Sequence, residues 1–450
     1  MASTSRSLTM IYDRPLTAAQ KKKSQRNYCY FNTINGISYM CLGETILILL
    51  AVKMNVSDPV ISALGAMLYF GYLLLPLGKI TAARVGGARS QSIFWVCRNI
   101  AALMVASSAA ASCFGYQKTA LVLLLTGAFL YYGFRAAGVV MSQPLVGDIS
   151  DENGSGKLLA VSNGIFFFTR MVTLIVITLV TNKCDSLRTL IAIIIFGAFC
   201  GIASSKFLNN IDETSSLRNS ARQPLKPEIK WSLKDSGMRK QLLAGFFNNL
   251  IWIMSIPIST LAVKKGYNAS DADALIFTIS FSVGCCVMSF AGGKIAQKIG
   301  PRKQFIGSYI LFILTSFIWV FLPAKMPYIY MLIHFFILGT AGIWGLNSSA
   351  HYFLQTVSIE HRVGGSILLA VVTGVIAGFA GIIITGTLLK VTPMLVSTAL
   401  DGYKMYFIIT AVLMAPATWA FIKLTPLPTE KRRISRQLAQ RIATFITKRH

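Results

Sequence analysis

"GKITAARVGGAR" (Gly78 to Arg89) and "GKIAQKIGPRK" (Gly293 to Lys303) are two versions of one short, basic, glycine-bearing segment, about 215 positions apart in a chain of 450 residues. Other segments repeat around them in the same order. "LAVK" at 50–53 returns at 261–264, each copy followed shortly by Asn-x-Ser-Asp (Asn55 to Asp58, Asn268 to Asp271). "LLAV" at 158–161 returns at 368–371, with a glycine three positions later in both places (Gly164, Gly374). A single four-residue match between apolar stretches is expected by chance. Three in order, at offsets of 210 to 216, mark a duplicated chain. A parallel duplication in a membrane protein implies two bundles related by an axis along the membrane normal, with a binding site between them near the midplane.

The sequence between the repeats supports a membrane reading. Hydrophobic residues make up 54% of the chain and charged ones 13%, against about 25% charged in a soluble domain. Apolar stretches recur at 28–52, 59–79, 91–114, 118–143, 157–181, 186–208, 241–263, 272–293, 304–323, 327–350, 364–389 and 403–424, each long enough to cross a bilayer as a helix. The expected fold is an all-α membrane protein of twelve transmembrane helices in two six-helix bundles. Its parts are a tail and first bundle (1–208), a charged, proline-bearing linker (209–240), a second bundle (241–424) and a basic tail (425–450).

Lys and Arg outnumber Asp and Glu by 43 to 16, and 31 of the 43 fall on the side that carries both termini, 9 on the other side and 3 inside spans. Cytoplasmic loops of membrane proteins carry such an excess, so both termini are expected in the cytoplasm and the protein in the inner (cell) membrane of a bacterium. The asymmetry accounts for the basic charge without a nucleic-acid partner. The first apolar run is too long for a signal-peptide h-region. No CxxC spacing, metal-ligand spacing, nucleophile–base pair or phosphate loop occurs. No cofactor or metal is expected, therefore, and no enzyme activity. After Leu424, Ile434, Leu438, Ile442, Phe445 and Ile446 alternate at helical spacing with Arg436, Arg441 and Lys448, the pattern of a helix lying on anionic lipid at the cytoplasmic face.

The glycine-bearing segments resemble the G-x-x-x-D-R-x-G-R-[RK] connection between the second and third helices of each half of the major facilitator superfamily. Gly293, Lys298, Gly300 and Arg302 match it in the second copy. Gly78, Arg84 and Gly86 match it in the first, with one extra residue. The motif's Asp is Gln297 in one copy and Ala82 or Ala83 in the other, so the resemblance carries over the gating turn but not the carboxylate that latches it. "RAAGVVMSQP" from Arg135 resembles the family's fourth-helix pattern without its Gln. The resemblance implies alternating access by a secondary transporter. The Gly-Pro element of drug–proton antiporters and the Pro-Glu-Ser and Pro-Glu-Thr marks of sugar facilitators are absent, so no substrate class follows.

Ionisable residues inside spans narrow the choice, because each costs about 2.5–3.5 kcal/mol on insertion scales unless a partner or a cavity receives it. Arg170 lies mid-helix on span 5 and Arg135 on span 4; in the family's fold both helices border the cavity, which makes these the expected substrate contacts. Arg98, on the support helix 3, reads as structural. Glu44, on span 1, is the one carboxylate inside the spans of the first half and the expected proton-coupling group. His334 on span 10 and Trp344 are candidate ligand contacts. So are Asn248 and Asn249 on span 7, opposite Asn32 and Asn35 on span 1, while Trp252 reads as core or a stacking surface. Gly374, Gly378 and Gly381 on span 11 read as close packing that permits rocking. The expected function is transport of a small polar, anionic solute by symport with a coupling ion, proton or sodium. A proton-driven exporter of amphiphilic compounds and a non-transporting sensor or scaffold on the same fold are the competing readings.

Overall fold

The computed structural model describes residues 10–56, 64, 67–151, 154–184 and 186–426. The basic tail and its expected surface helix lie outside these residues. The first span is α1 (Ala18–Cys41) followed by α2 (Glu44–Lys53); α3 (Leu75–Val85) ends the second; α4 (Gly87–Cys113), α5 (Gln117–Val139) with α6 (Ser142–Ile149), α7 (Ser155–Lys183) and α8 (Leu187–Leu208) complete the first half. The connection holds α9 (Ser215–Arg222) and α10 (Leu225–Lys234). The second half runs through α11 (Ser236–Leu261), α12 (Asp271–Ile299), α13 (Pro301–Ile318), α14 (Tyr328–Thr356), α15 (Arg362–Ala370), α16 (Ala377–Val391), α17 (Ala399–Met414) and α18 (Thr418–Ile422). Among the described residues eleven helical segments are long and apolar enough to cross a membrane. The expected second span is described only at residue 64 and from 67 onward.

Span 1 differs from its expected extent at both ends. It begins at Ala18, so Lys21, Lys22, Lys23 and Arg26 sit on its first turns rather than in a tail. Thr17 fixes that start: its hydroxyl accepts from the Gln20 amide N–H at 3.3 Å while the Gln20 side chain accepts from the Thr17 N–H at 2.9 Å, a reciprocal cap that satisfies two orphan donors. Farther along, the helix breaks at Leu42–Gly43, where Gly43 is extended (φ −65°, ψ 162°) and the next helical turn begins at Glu44.

Backbone geometry repeats between the halves as the sequence does. Asn55 (φ 54°) and Asn268 (φ 53°) are the two non-glycine residues with positive φ among those described, and Gly86 (φ 93°) and Gly300 (φ 82°) share the same left-handed turn, a conformation open mainly to Gly and Asn. Each glycine stands at the head of a helix whose side chain reaches back twelve residues: Ser90 donates to the Gly78 carbonyl at 3.0 Å, and Gln304 to the Gly292 carbonyl at 2.9 Å. These pairs set the offset at 213 to 214. Gly78 therefore corresponds to Gly292, not to Gly293 as the "GKI" match implies; the adjacent glycines 292 and 293 absorb the one-residue difference. Glycines also let span backbones meet. A Cβ on Gly78 would fall 2.0 Å from the Ala137 carbonyl oxygen, and one on Gly284 2.1 Å from that of Phe336, the small-residue packing that replaces hydrophobic drive between helices in lipid.

The connection between the halves is folded rather than an open tether. Glu213–Thr214 (β2) pairs in parallel with Ile11–Tyr12 (β1), and Lys23 reaches Asp212 at 3.2 Å. From there, α9 and α10 lie across the ends of both bundles on the face that carries the linker. The two halves touch along a seam from that face to about mid-helix. Ser366 donates to the Val140 carbonyl at 3.0 Å, Asn163 to the Asn347 side-chain oxygen at 2.5 Å, and Tyr69 stacks at a tilt against Phe379 at 5.5 Å. Gly374 and Gly378 sit in this seam: a Cβ on either would clash with the rings of Tyr72 and Tyr69, whereas Gly381 packs on Ile253 within its own half.

Candidate functional site

The Tyr39 ring, three residues before the break in span 1, is the centre of the charged site. Three guanidinium carbons lie within 6 Å of its centroid: Arg170 at 4.6 Å, Arg135 at 5.1 Å and Arg98 at 5.9 Å. They come from α7, α5 and α4 and converge on this one ring of α1. Arg98 is fully buried and donates to Asn35 Oδ1 at 3.2 Å and to the Tyr131 hydroxyl at 2.8 Å. Asn35 also accepts from the Trp95 indole at 2.9 Å. Arg170 is flanked by the faces of Phe166 and Phe167 at 5.5 and 5.2 Å, and its Nε is buried without a partner. Among the described residues no ion pair involves any of the three. Aromatic faces attract each cation by about 0.5–2 kcal/mol, yet they bring no net charge.

A small cavity of about 50 Å³ opens against this group, lined by Tyr39, Leu42, Gly43, Leu68, Tyr131, Tyr132 and Arg135. It has room for a few waters and not for a whole organic solute. Glu44 follows Gly43 directly as the first residue of α2; its side chain lies outside the described residues. Across the seam, the second half offers apolar and neutral groups: Cys285, Met288 and Ile343 pack with Phe167 and Trp344. The charged site therefore belongs to one half.

The structure joins Arg135 and Arg170 and adds Arg98, which the family resemblance placed on a support helix. It separates the remaining candidates. His334 is buried in the second half, accepting from the Trp319 indole at 3.1 Å and 3.4 Å from the Ser259 hydroxyl, so it packs spans 7, 9 and 10 away from the arginines. Asn248 is buried beside Gly345 and Ser308, and Asn249 is half-buried; neither stands with the arginines. Asn32 bonds back to the Tyr28 carbonyl of its own helix at 2.9 Å. Trp252 packs on Gly342, Phe281 and Phe312 as core. Trp344 reaches the seam, its indole N–H buried without a partner. All eight cysteines are free, and no metal-binding group of His, Cys, Asp or Glu occurs among the described residues.

The glycine-bearing turns at Gly86 and Gly300 are held mostly by residues the sequence did not flag. Glu213 is buried, and its carboxylate accepts from the N–H groups of Gly87 and Ala88 at 2.9 Å, capping α4 at the Gly86 turn. Burial pushes its pKa from 4.5 up to about 8, against the lowering pull of those N–H donors. Lys79, in the first gating segment, donates to the Ala221 carbonyl at 2.6 Å and to that of Gln223, where a cation meets the negative end of α9. Arg222 returns a bond to Ala83 at 3.1 Å. Toward the other half, Ser220 donates to the Glu360 carbonyl at 2.6 Å, and Glu228 meets His361 at 2.9 Å while Trp231 stacks on that imidazole at 3.8 Å. In the second gating segment, Arg302 donates to the Ile422 carbonyl at 2.6 Å. Beneath the strap a cavity of about 640 Å³, lined with charges of both signs, separates α6 and α9 from the end of α14.

The structure thus holds two pseudo-symmetric helical bundles that meet along a seam, with glycine-bearing turns at equivalent positions and a charged site among the spans of the first half. The Major Facilitator Superfamily model matches residues 30–382 and 241–449, and the chain belongs to that family, whose members are transporters rather than enzymes. Solved structures agree in fold. A bacterial homologue of the iron transporter ferroportin, in an outward-facing state, superposes with TM-score 0.67 at 13% identity, covering 89% of this chain and 98% of its own. The Escherichia coli fucose:proton symporter gives 0.66 at 12% identity, covering 88% and 98%, and a proton:xylose symporter 0.65 at 15% identity, covering 90% and 97%. No curated protein sequence matches.

Proposed function

We propose that this protein is a proton-coupled secondary transporter of a small anionic solute, working by alternating access in a bacterial cell membrane with both termini in the cytoplasm. The observation that carries the reading is the nest of Arg98, Arg135 and Arg170 around Tyr39, with no ion-paired carboxylate among the described residues. Leaving such charges unpaired in a membrane interior is costly, and a bound anion relieves that cost. The basic face then lies in the cytoplasm, and the strap of α9 and α10 closes the seam there. A seam closed on that side is the outward-facing half of the cycle. Glu44, one residue beyond the cavity-lining Gly43, is the proton-coupling group; the proton rather than sodium also drives two of the similar structures.

The test is transport in liposomes. Losing a charge-assisted hydrogen bond costs about 1.5–3 kcal/mol, so Arg170→Ala should weaken substrate binding by more than about tenfold. Glu44→Gln should spare binding and uncouple uptake from the pH gradient. Normal transport by Arg170→Ala, or a preferred ligand that is cationic, overturns the anion reading in favour of the exporter. A sodium gradient that drives uptake where a proton gradient does not reassigns the coupling ion.

A further inference from the structure

We infer that the substrate presents a dianionic head group, a phosphate monoester or a dicarboxylate, to the first half of the protein. The inference rests on the anion reading above and adds the charge it must carry. Arg170 and Arg135 are the cations that reach the seam or the small cavity. With Glu44 as the one carboxylate inside the spans of the first half, those two alone would call for a single counter-charge. Arg98 changes the sum. It is fully buried, held by Asn35 and Tyr131, and its guanidinium stands over the same Tyr39 ring. Its two hydrogen-bond acceptors are neutral, so the hydrogen bonds orient the cation without cancelling it. Three fixed positive charges within 6 Å of one ring centroid, set against one carboxylate, leave two for the ligand. In a low-dielectric site Arg98 acts through its field rather than by contact, since Coulomb interactions there are far stronger than in water.

The rest of the site fixes where that head goes. The cavity of about 50 Å³ beside Arg135 is lined by three tyrosines, Tyr39, Tyr131 and Tyr132, and it takes a compact, multiply accepting head and little more. The second-half cluster of Cys285, Met288, Ile343 and Trp344 carries no charge and offers one unpaired donor, the Trp344 indole N–H, so it packs an apolar remainder rather than a second charged end. Head and body thus divide between the halves.

Two matched pairs of probes test the charge, on purified protein in nanodiscs at pH 7.5 and low salt. Phenyl phosphate is a dianion there and methyl phenyl phosphate a monoanion of nearly the same shape; succinate and succinamate stand in the same relation. A preference of at least tenfold for the dianion in either pair is the expected result, and the pair that shows it separates a phosphate head from a dicarboxylate. Arg98→Gln should erase the preference, whereas Arg98→Lys, which keeps the charge but not the hydrogen bonds, should retain most of it. Equal binding within both pairs, still weakened by Arg170→Ala, overturns the dianion and leaves the anion reading standing. Binding indifferent to Arg170, or binding of none of the four by folded protein, overturns both.

Discussion

Three residues carry the local consequences. Glu213 is a carboxyl whose folded pKa of about 8 stands above its unfolded value of 4.5. Between those values the folded protein binds the extra proton, so its contribution to stability is present at low pH and lost as pH rises toward 8. The melting temperature of detergent-purified protein should therefore fall from pH 6 to 8.5, and Glu213→Gln should flatten that fall; an unchanged slope in the variant would remove the residue from the account. His334 sits at the opposite pole of function. Its bond to Trp319 belongs to the packing of the second half, so His334→Ala should lower the melting temperature while leaving substrate affinity within about twofold. The arginines were legible in sequence one at a time. Their convergence on Tyr39 was not, because it depends on the rotation of α4, α5 and α7 about their own axes, and a continuous apolar run does not encode which face of a helix turns inward. Arg98 is the plainest case: on sequence it is a cation near the end of a support helix, and only its reach to Tyr131 reveals the site it joins.

At the scale of elements, the linker strap decides how tightly one face is shut. Its helices were invisible to hydropathy, being eight and ten residues long and strongly polar; helices that short hold their shape through tertiary contacts rather than propensity. The missing acidic latch of the gating turns is answered here. At the first turn a carboxyl arrives from the connection instead, Glu213, while Glu228 ties the strap to His361 of the second half. Removing Glu228 takes the partner from His361 and loosens the strap's hold on α15. Ala160 reports on this, since it is buried in the seam against Gly293. With the exposed Cys113 and Cys184 changed to Ser, Ala160→Cys should react slowly with a membrane-impermeant maleimide applied from the strap's side, and adding Glu228→Ala should raise that rate several-fold. Equal rates would mean the strap does not set the closure.

Over the whole molecule, the duplication was readable because it left marks of two kinds. Spans follow from runs of apolar residues, and the turns that join them repeat residues able to hold positive φ, as Asn55 and Asn268 do. The seam was not readable, since it joins residues more than 180 positions apart through single hydrogen bonds such as Asn163 to Asn347. Under the proposed alternating access that seam opens once in each cycle. A disulfide formed between Val140→Cys and Ser366→Cys, positions joined by a 3.0 Å bond, should stop transport without changing expression, and a reductant should restore it. Transport that persists with the cross-link formed would place the moving surfaces elsewhere.

The parallel pairing of Ile11–Tyr12 with Glu213–Thr214 also imposes an order on biosynthesis. Residues near the beginning of the chain have no partner strand until roughly two hundred more have left the ribosome, by which time six spans are already in the bilayer. Its docking, with Lys23 meeting Asp212 and Ser24 bonding the Asp212 backbone, requires that the early segment and the connection end on the same side of the membrane. A nascent chain that mis-threads one span would present its connection on the wrong side of the bilayer, leaving the early strand unpaired and open to quality-control proteases.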